Sequence, residues 1–114
     1  MVKTGNLFGD LPVGALAEEV FTTLLDRPAF RVERIVSTGQ MTPEGQWYDQ
    51  DSDEWVMVVA GAARLRIEGE SEDHALGEGA WILLPAHCRH RVTWTRAEPP
   101  TIWLAVHFTA EGSK

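Results

Sequence analysis

Past residue 28 the chain has no stretch in which apolar residues recur at helical spacing, and this constrains its fold more than any other feature. Short apolar segments alternate with turns rich in glycine and proline, such as 42–45, 77–79 and 97–100. Segment 62–68 alternates cleanly, with apolar and charged residues on opposite faces. Roughly seven or eight such strands predict an antiparallel sandwich or barrel and leave no room for the helices of a doubly wound α/β fold.

The part of the chain before residue 28 has a different pattern. Its apolar residues fall at helical spacing with polar residues between them: Leu16, Val20, Phe21, Leu24 and Leu25. Pro12 lies near the start of this pattern, and Asp26-Arg27-Pro28 ends it. We therefore predict a short amphipathic helix over about residues 14–25. The single domain then divides into an N-terminal segment, 1–28, and a β-barrel, 29–114.

Composition and charge exclude several classes of protein. The 114 residues are enough for one hydrophobic core. The net charge of −7 argues against a nucleic-acid partner. The longest apolar run, Trp55 to Ala60, is far shorter than the roughly 20 residues that cross a membrane. The first residues lack a signal-peptide layout, and the single cysteine, Cys88, excludes an internal disulfide, so we expect a cytoplasmic protein.

Two segments resemble the motifs of the cupin superfamily, whose members fold as a small jelly-roll barrel. The first motif closes with a glutamate, six residues and a glycine, as in Glu54–Gly61. Tyr48 and Gln50 stand where its two histidines would be. The second motif matches Gly79–His90, except that His87 replaces its internal glycine. The resemblance is to small single-domain bacterial cupins, and it implies an all-β antiparallel jelly-roll.

The two motifs cover residues 45–94 and imply a divalent metal ion in the barrel, either Fe, Mn or Zn. Strand parity gives an independent argument, because Tyr48, Gln50 and Glu54 share one face and His90 shares its face with apolar residues. Buried ionisable groups need partners. We therefore expect these four side chains to be the metal ligands. The alternative is a metal-free barrel in which they form hydrogen bonds with one another.

The resemblance also implies a small-molecule ligand or substrate and a homodimer formed by sheet packing or by swapped N-terminal strands. If the protein is an enzyme, dioxygenase, isomerase or lyase chemistry is expected, with Tyr48 or Glu54 as acid or base. The alternative is a non-catalytic module that binds a sugar or an acid. We expect Trp47, Trp94 and His87 to line the ligand pocket.

A competing site would combine His87, His90 and His107 into a nitrogen-rich set. The apolar segment 101–109 argues against this site, because its better core face would put His107 outside the core. That face consists of Ile102, Leu104, Val106 and Phe108. The acidic residues near position 50 (Asp49, Asp51 and Asp53) are more typical of a solvated face than of a cation site.

Overall fold

The computed structural model describes residues 2–109, which form eight antiparallel strands in two sheets. The strands are β1 (Val20–Arg27), β2 (Phe30–Ser37), β3 (Asp53–Ala60), β4 (Ala63–Ile67), β5 (His74–Leu76), β6 (Trp81–Leu84), β7 (His90–Thr95) and β8 (Thr101–Phe108). The larger sheet has the order β1-β2-β8-β3-β6, and the smaller one β5-β4-β7. This confirms the predicted all-β antiparallel architecture. Within residues 2–109, no helix is long and apolar enough to cross a membrane.

The predicted helix over residues 14–25 is wrong. Residues 20–27 form β1, which pairs with β2 from Val20↔Val36 to Arg27↔Phe30. The register shifts between Thr23 and Leu25, at a β-bulge that adds one residue to β1. An extra residue breaks the period-two alternation of a strand, so the apolar positions on its two sides imitate helical spacing.

The core lies between the two sheets, and buried residues of both contribute to it. The larger sheet supplies Val56, Val58 and Trp103, and the smaller one supplies Leu65. Gly61, at the corner after β3, has a φ of 100°, and a Cβ there would lie 2.6 Å from the Thr101 hydroxyl. The glycine that closes the first motif is therefore required both by its backbone conformation and by the close approach of β8.

The inner face of β8 differs from the expected one. Its register with β3 pairs Val58 with Trp103 and Glu54 with His107, so Trp103 and His107 turn inward. Leu104 is only partly buried. The expectation that His107 lies outside the core is wrong, because this strand is apolar on both faces and its partner strands decide which face is inside.

Candidate functional site in the barrel cavity

A cavity of about 570 Å³ opens between the two sheets. One part of its wall is apolar and includes Ile35, Val56, Leu65, Leu84, Val92 and Trp103. The other part is polar and includes Glu19, Glu33, Tyr48, Gln50, Glu54, His90 and His107. Such a combination of an apolar wall with a few convergent polar groups is typical of small-molecule sites.

Glu54 and His90 meet inside this cavity from opposite sheets. Glu54 lies on β3 of the larger sheet and is 7% exposed, and His90 lies on β7 of the smaller sheet and is 5% exposed. The Oε1 atom of Glu54 is 3.9 Å from Nε2 of His90. The same oxygen accepts a hydrogen bond of 3.2 Å from the Gln50 amide. The structure thus brings together all four residues that the motifs single out, because Tyr48 also lines the cavity.

Local hydrogen bonds fix the orientation of the His90 ring. Its Nδ1 lies 2.8 Å from the backbone carbonyl of Cys88. A carbonyl can only accept, so Nδ1 carries a hydrogen, and in the neutral form of the ring Nε2 presents a lone pair to the cavity. Tyr48 forms an antiparallel bridge with His90 through backbone hydrogen bonds of 2.7 and 3.1 Å, and the two rings stack with centroids 5.6 Å apart.

A second acid–imidazole pair, only partly predictable from the sequence, lies on the neighbouring strands. The register places Arg31, His107 and Glu54 side by side on β2, β8 and β3. The Nε2 atom of His107 is 2.9 Å from Oε1 of Glu33 and 3.9 Å from Oε2 of Glu54. Glu33 shares the inner face of β2 with Ile35, and this alternation was the one signal in the sequence that could have identified it.

Glu19, just before β1, is a further carboxyl group of the cavity that the sequence analysis missed. Its Oε2 accepts a hydrogen bond from the fully buried Ser37 hydroxyl, which in turn accepts one of 3.0 Å from the Trp103 indole. Burial raises the pKa of Glu19, although the Ser37 hydrogen bond opposes this. Burial, followed by the charge of Glu19, also raises the pKa of Tyr48, with a smaller contribution from Glu54.

The three expected pocket residues lie at the rim and on the outer surface. His87 is exposed, and its Nδ1 lies 2.9 Å from Oδ1 of Asp49 at the cavity mouth. Trp47 packs against guanidinium groups, with that of Arg91 5.8 Å from its ring centroid. Trp94 is 45% exposed. Among the described residues, none of these three lines the cavity.

A bulge in β7 explains the position of Trp94. Val92 pairs with Leu65 and Trp94 pairs with Arg64, so Thr93 is the extra residue between them. The parity that should put Trp94 on the face of Val92 is therefore broken, and Trp94 follows Arg64 to the outside. The competing three-histidine site is also incomplete, because His90 and His107 line the cavity and His87 does not.

The donor groups around Glu54 suit a divalent metal ion in their chemistry. A carboxylate, an imidazole with an open lone pair and an amide are ligands for Fe, Mn or Zn. Within residues 2–109, no three His, Cys, Asp or Glu side chains are already arranged to hold an ion. Two ligands of one such ion lie about 3.0–3.4 Å apart, and the imidazole–carboxylate distance of 3.9 Å is close to this. The chemistry of these donor groups therefore fits a divalent ion, which Gln50 would bind through its amide oxygen.

The jelly-roll and its inward-facing polar cluster define a small β-barrel protein with an internal cavity. A family model described as cupin domain matches residues 34–107. The chain belongs to the cupin family, as the motifs predict.

Similar solved structures support the same fold. A protein of Ralstonia eutropha JMP134, described as a candidate mannose-6-phosphate isomerase, is 52% identical; the match covers 96% of this chain and all of that one, with a TM-score of 0.91. An RmlC-like cupin of Desulfovibrio desulfuricans is 15% identical over 95% of this chain and 97% of its own, with a TM-score of 0.72. The Fe(II) form of HppE is 18% identical, with 79% and 50% coverage and a TM-score of 0.65. No curated protein matches the chain.

Proposed function

We propose that this cupin holds a divalent metal ion with Glu54, His90 and Gln50 and binds a small polar molecule beside it. The observation that carries the proposal is the environment of Glu54. Within the described residues, its close neighbours are an uncharged amide at 3.2 Å and two imidazoles at 3.9 Å. A buried carboxylate without a cation in contact is unfavourable, and a metal ion would supply that cation. The ion would contribute a Lewis acid.

Tyr48 and Glu54 are the residues we propose for contact with the bound molecule. A phenol is protonated at neutral pH, so Tyr48 enters the site as a hydrogen-bond or proton donor, and it becomes a fourth ligand only if the ion displaces that proton. The Tyr48 ring is held against His90 by the backbone bridge and the ring stacking. Glu54 has carboxylate oxygens directed into the same cavity, where it can accept a proton.

Metal content is the first test of this proposal. Protein purified without a nickel column should contain one equivalent of Fe, Mn or Zn, and Glu54→Ala and His90→Ala should each lose it. The matched controls are Glu70→Ala and His74→Ala, because these residues form an exposed acid–imidazole pair, 2.8 Å apart, outside the barrel. Metal that persists in both cavity variants, or its absence from the wild type, would contradict the proposal.

A second candidate function is the isomerisation of a sugar, which the 52% identity to the Ralstonia protein favours. Among the residues that the structure describes, Arg31 is the one lysine or arginine at the cavity, and it lies 3.6 Å from Oε2 of Glu33. Because the cavity offers little positive charge to a phosphate group, we expect it to bind a neutral sugar more tightly than the corresponding sugar phosphate.

Binding and turnover separate an enzyme from a binding module. We expect D-mannose to bind more tightly than mannose 6-phosphate in calorimetry with Mn²⁺ present, and Tyr48→Phe to weaken that binding. Conversion of the bound sugar, followed by NMR, would identify an isomerase, and binding without conversion would favour the non-catalytic module. Tighter binding of the phosphate would contradict the preference for a neutral ligand.

We also propose that two copies associate through the outer face of the larger sheet. Trp81 is 60% exposed and Leu83 48% exposed on the edge strand β6, and Trp81 lies beside Trp55, with ring centroids 6.0 Å apart. Exposed apolar patches of this kind mark interfaces. Light scattering should give a dimer for the wild type and a monomer for Trp81→Glu. A dimer that survives this change would favour exchange of N-terminal strands instead.

A further inference from the structure

The two cavity histidines are in opposite hydrogen-bonding states. His107 directs Nε2 at Oε1 of Glu33, 2.9 Å away, and the two residues are 9% and 8% exposed. The guanidinium of Arg31 lies 3.6 Å from the other oxygen of Glu33. A carboxylate oxygen accepts hydrogen bonds, so at this distance Nε2 of His107 is the donor and carries the hydrogen.

A nitrogen that carries a hydrogen has no lone pair for a metal ion. The corresponding nitrogen of His90 is open, because its Nδ1 donates to the Cys88 carbonyl. Nε2 of His107 is nevertheless close to the centre of the site, 3.9 Å from Oε2 of Glu54. The distance to Glu54 is the same for both imidazoles, so what separates them is the hydrogen bond to Glu33.

We propose that Glu33 is a positioning residue that keeps His107 as a hydrogen-bond donor and so limits the metal site to one imidazole ligand, His90. The inference rests on the proposed metal binding. Removal of the Glu33 carboxylate frees Nε2 of His107 to lose its hydrogen and to turn its lone pair toward the ion beside Glu54. The site then gains a second imidazole ligand.

Titration with Co²⁺, followed by its visible absorption, tests this inference. His107→Ala should leave the wild-type Kd for Co²⁺ within about threefold. Loss of a ligand, or of a residue that orients a ligand, would instead change metal affinity by about 10–100-fold. Glu33→Ala should bind Co²⁺ at least about tenfold more tightly than the matched control Glu19→Ala. That control removes a cavity carboxyl group that contacts a serine rather than an imidazole. The double variant Glu33→Ala/His107→Ala should lose the gain.

Two results of this titration would overturn the inference. The first is loss of Co²⁺ binding in His107→Ala, which would make His107 a ligand of the wild type. The second is a Glu33→Ala variant that binds Co²⁺ no more tightly than Glu19→Ala. If Glu33→Ala does not fold, the position of the hydrogen on the wild-type His107 ring decides, as measured by NMR.

Imidazole ¹⁵N NMR separates failure of this inference from failure of the metal proposal. In metal-free wild type and in Glu19→Ala, the hydrogen of His107 should be on Nε2 and that of His90 on Nδ1. Glu33→Gln should keep this state, since its amide oxygen still accepts, and Glu33→Ala should lose it. A wild type that binds no Co²⁺ but shows these signals would refute the metal proposal alone. A His107 ring with Nε2 unprotonated would refute the role of Glu33.

Discussion

The polar part of the cavity wall contains one histidine from each sheet, and the two histidines differ in their hydrogen bonds. On β7, His90 is anchored by a backbone carbonyl and keeps Nε2 open to the cavity. On β8, His107 uses Nε2 to bond with Glu33 of β2. The anchor of His90 is two residues away in the chain, whereas the partner of His107 is 74 positions away. Hydrogen-bond partners, rather than residue type and burial, therefore determine which ring nitrogen of each histidine faces the cavity without a partner.

The largest effect should come from replacing each histidine by alanine, because the same substitution at two buried sites removes different partners. His107→Ala leaves the buried Glu33 carboxyl group without its hydrogen-bond donor at 2.9 Å and should destabilise the fold by about 3 kcal/mol. His90→Ala removes one hydrogen bond to a carbonyl and the contact with Tyr48, and should cost about 1–2 kcal/mol. Urea denaturation of the two metal-free variants checks the order. The reverse order would contradict the stronger pairing of His107 with Glu33.

A smaller effect should appear in double-mutant cycles on the two acid–imidazole pairs. The Glu33–His107 pair, at 2.9 Å, should show a coupling free energy of about 1–3 kcal/mol. The Glu54–His90 pair, at 3.9 Å without a direct hydrogen bond, should show less than about 0.5 kcal/mol when no metal is present. Equal coupling in the two pairs would mean that His107 is bound to Glu33 no more strongly than His90 is bound to Glu54.

The same difference explains how much of the site could be predicted. Glu54 and His90 belong to motifs with fixed local spacing, so the sequence identified them and the barrel that unites them. Glu33 and Glu19 have no motif, and they reach the cavity only through the pairing of β2 with β8 and of β1 with β2. Register of this kind depends on packing over the whole sheet.

Bulges account for further differences between prediction and structure. An extra residue between Thr23 and Leu25 gave β1 an apolar spacing that resembles a helix. Another extra residue, Thr93, turned Trp94 away from the cavity. A bulge has no clear sequence signal unless glycine marks it, and neither position has one. Strand parity is therefore a sound guide to the inner face only up to the first bulge.

The smallest expected effect concerns Glu19, which is held at the β2–β8 wall by Ser37 and Trp103. Burial raises its pKa in the folded state, so the folded protein binds this proton more tightly than the unfolded chain. The wild type should therefore lose stability relative to Glu19→Gln as the pH rises from the ordinary glutamate pKa through the raised one. The difference in Tm should grow by on the order of 2 °C over that range.

The exposed neighbour Glu18 provides the control for this last prediction, because Glu18→Gln makes the same chemical change outside the cavity. Its Tm should follow the wild type at every pH. Ser37→Ala should enlarge the effect, since the hydrogen bond from this hydroxyl stabilises the ionised form of Glu19 and partly opposes the burial. A Tm difference between Glu19→Gln and wild type that stays constant with pH would mean that Glu19 titrates as a solvated acid. Glu19 would then not belong to the buried polar groups of the cavity.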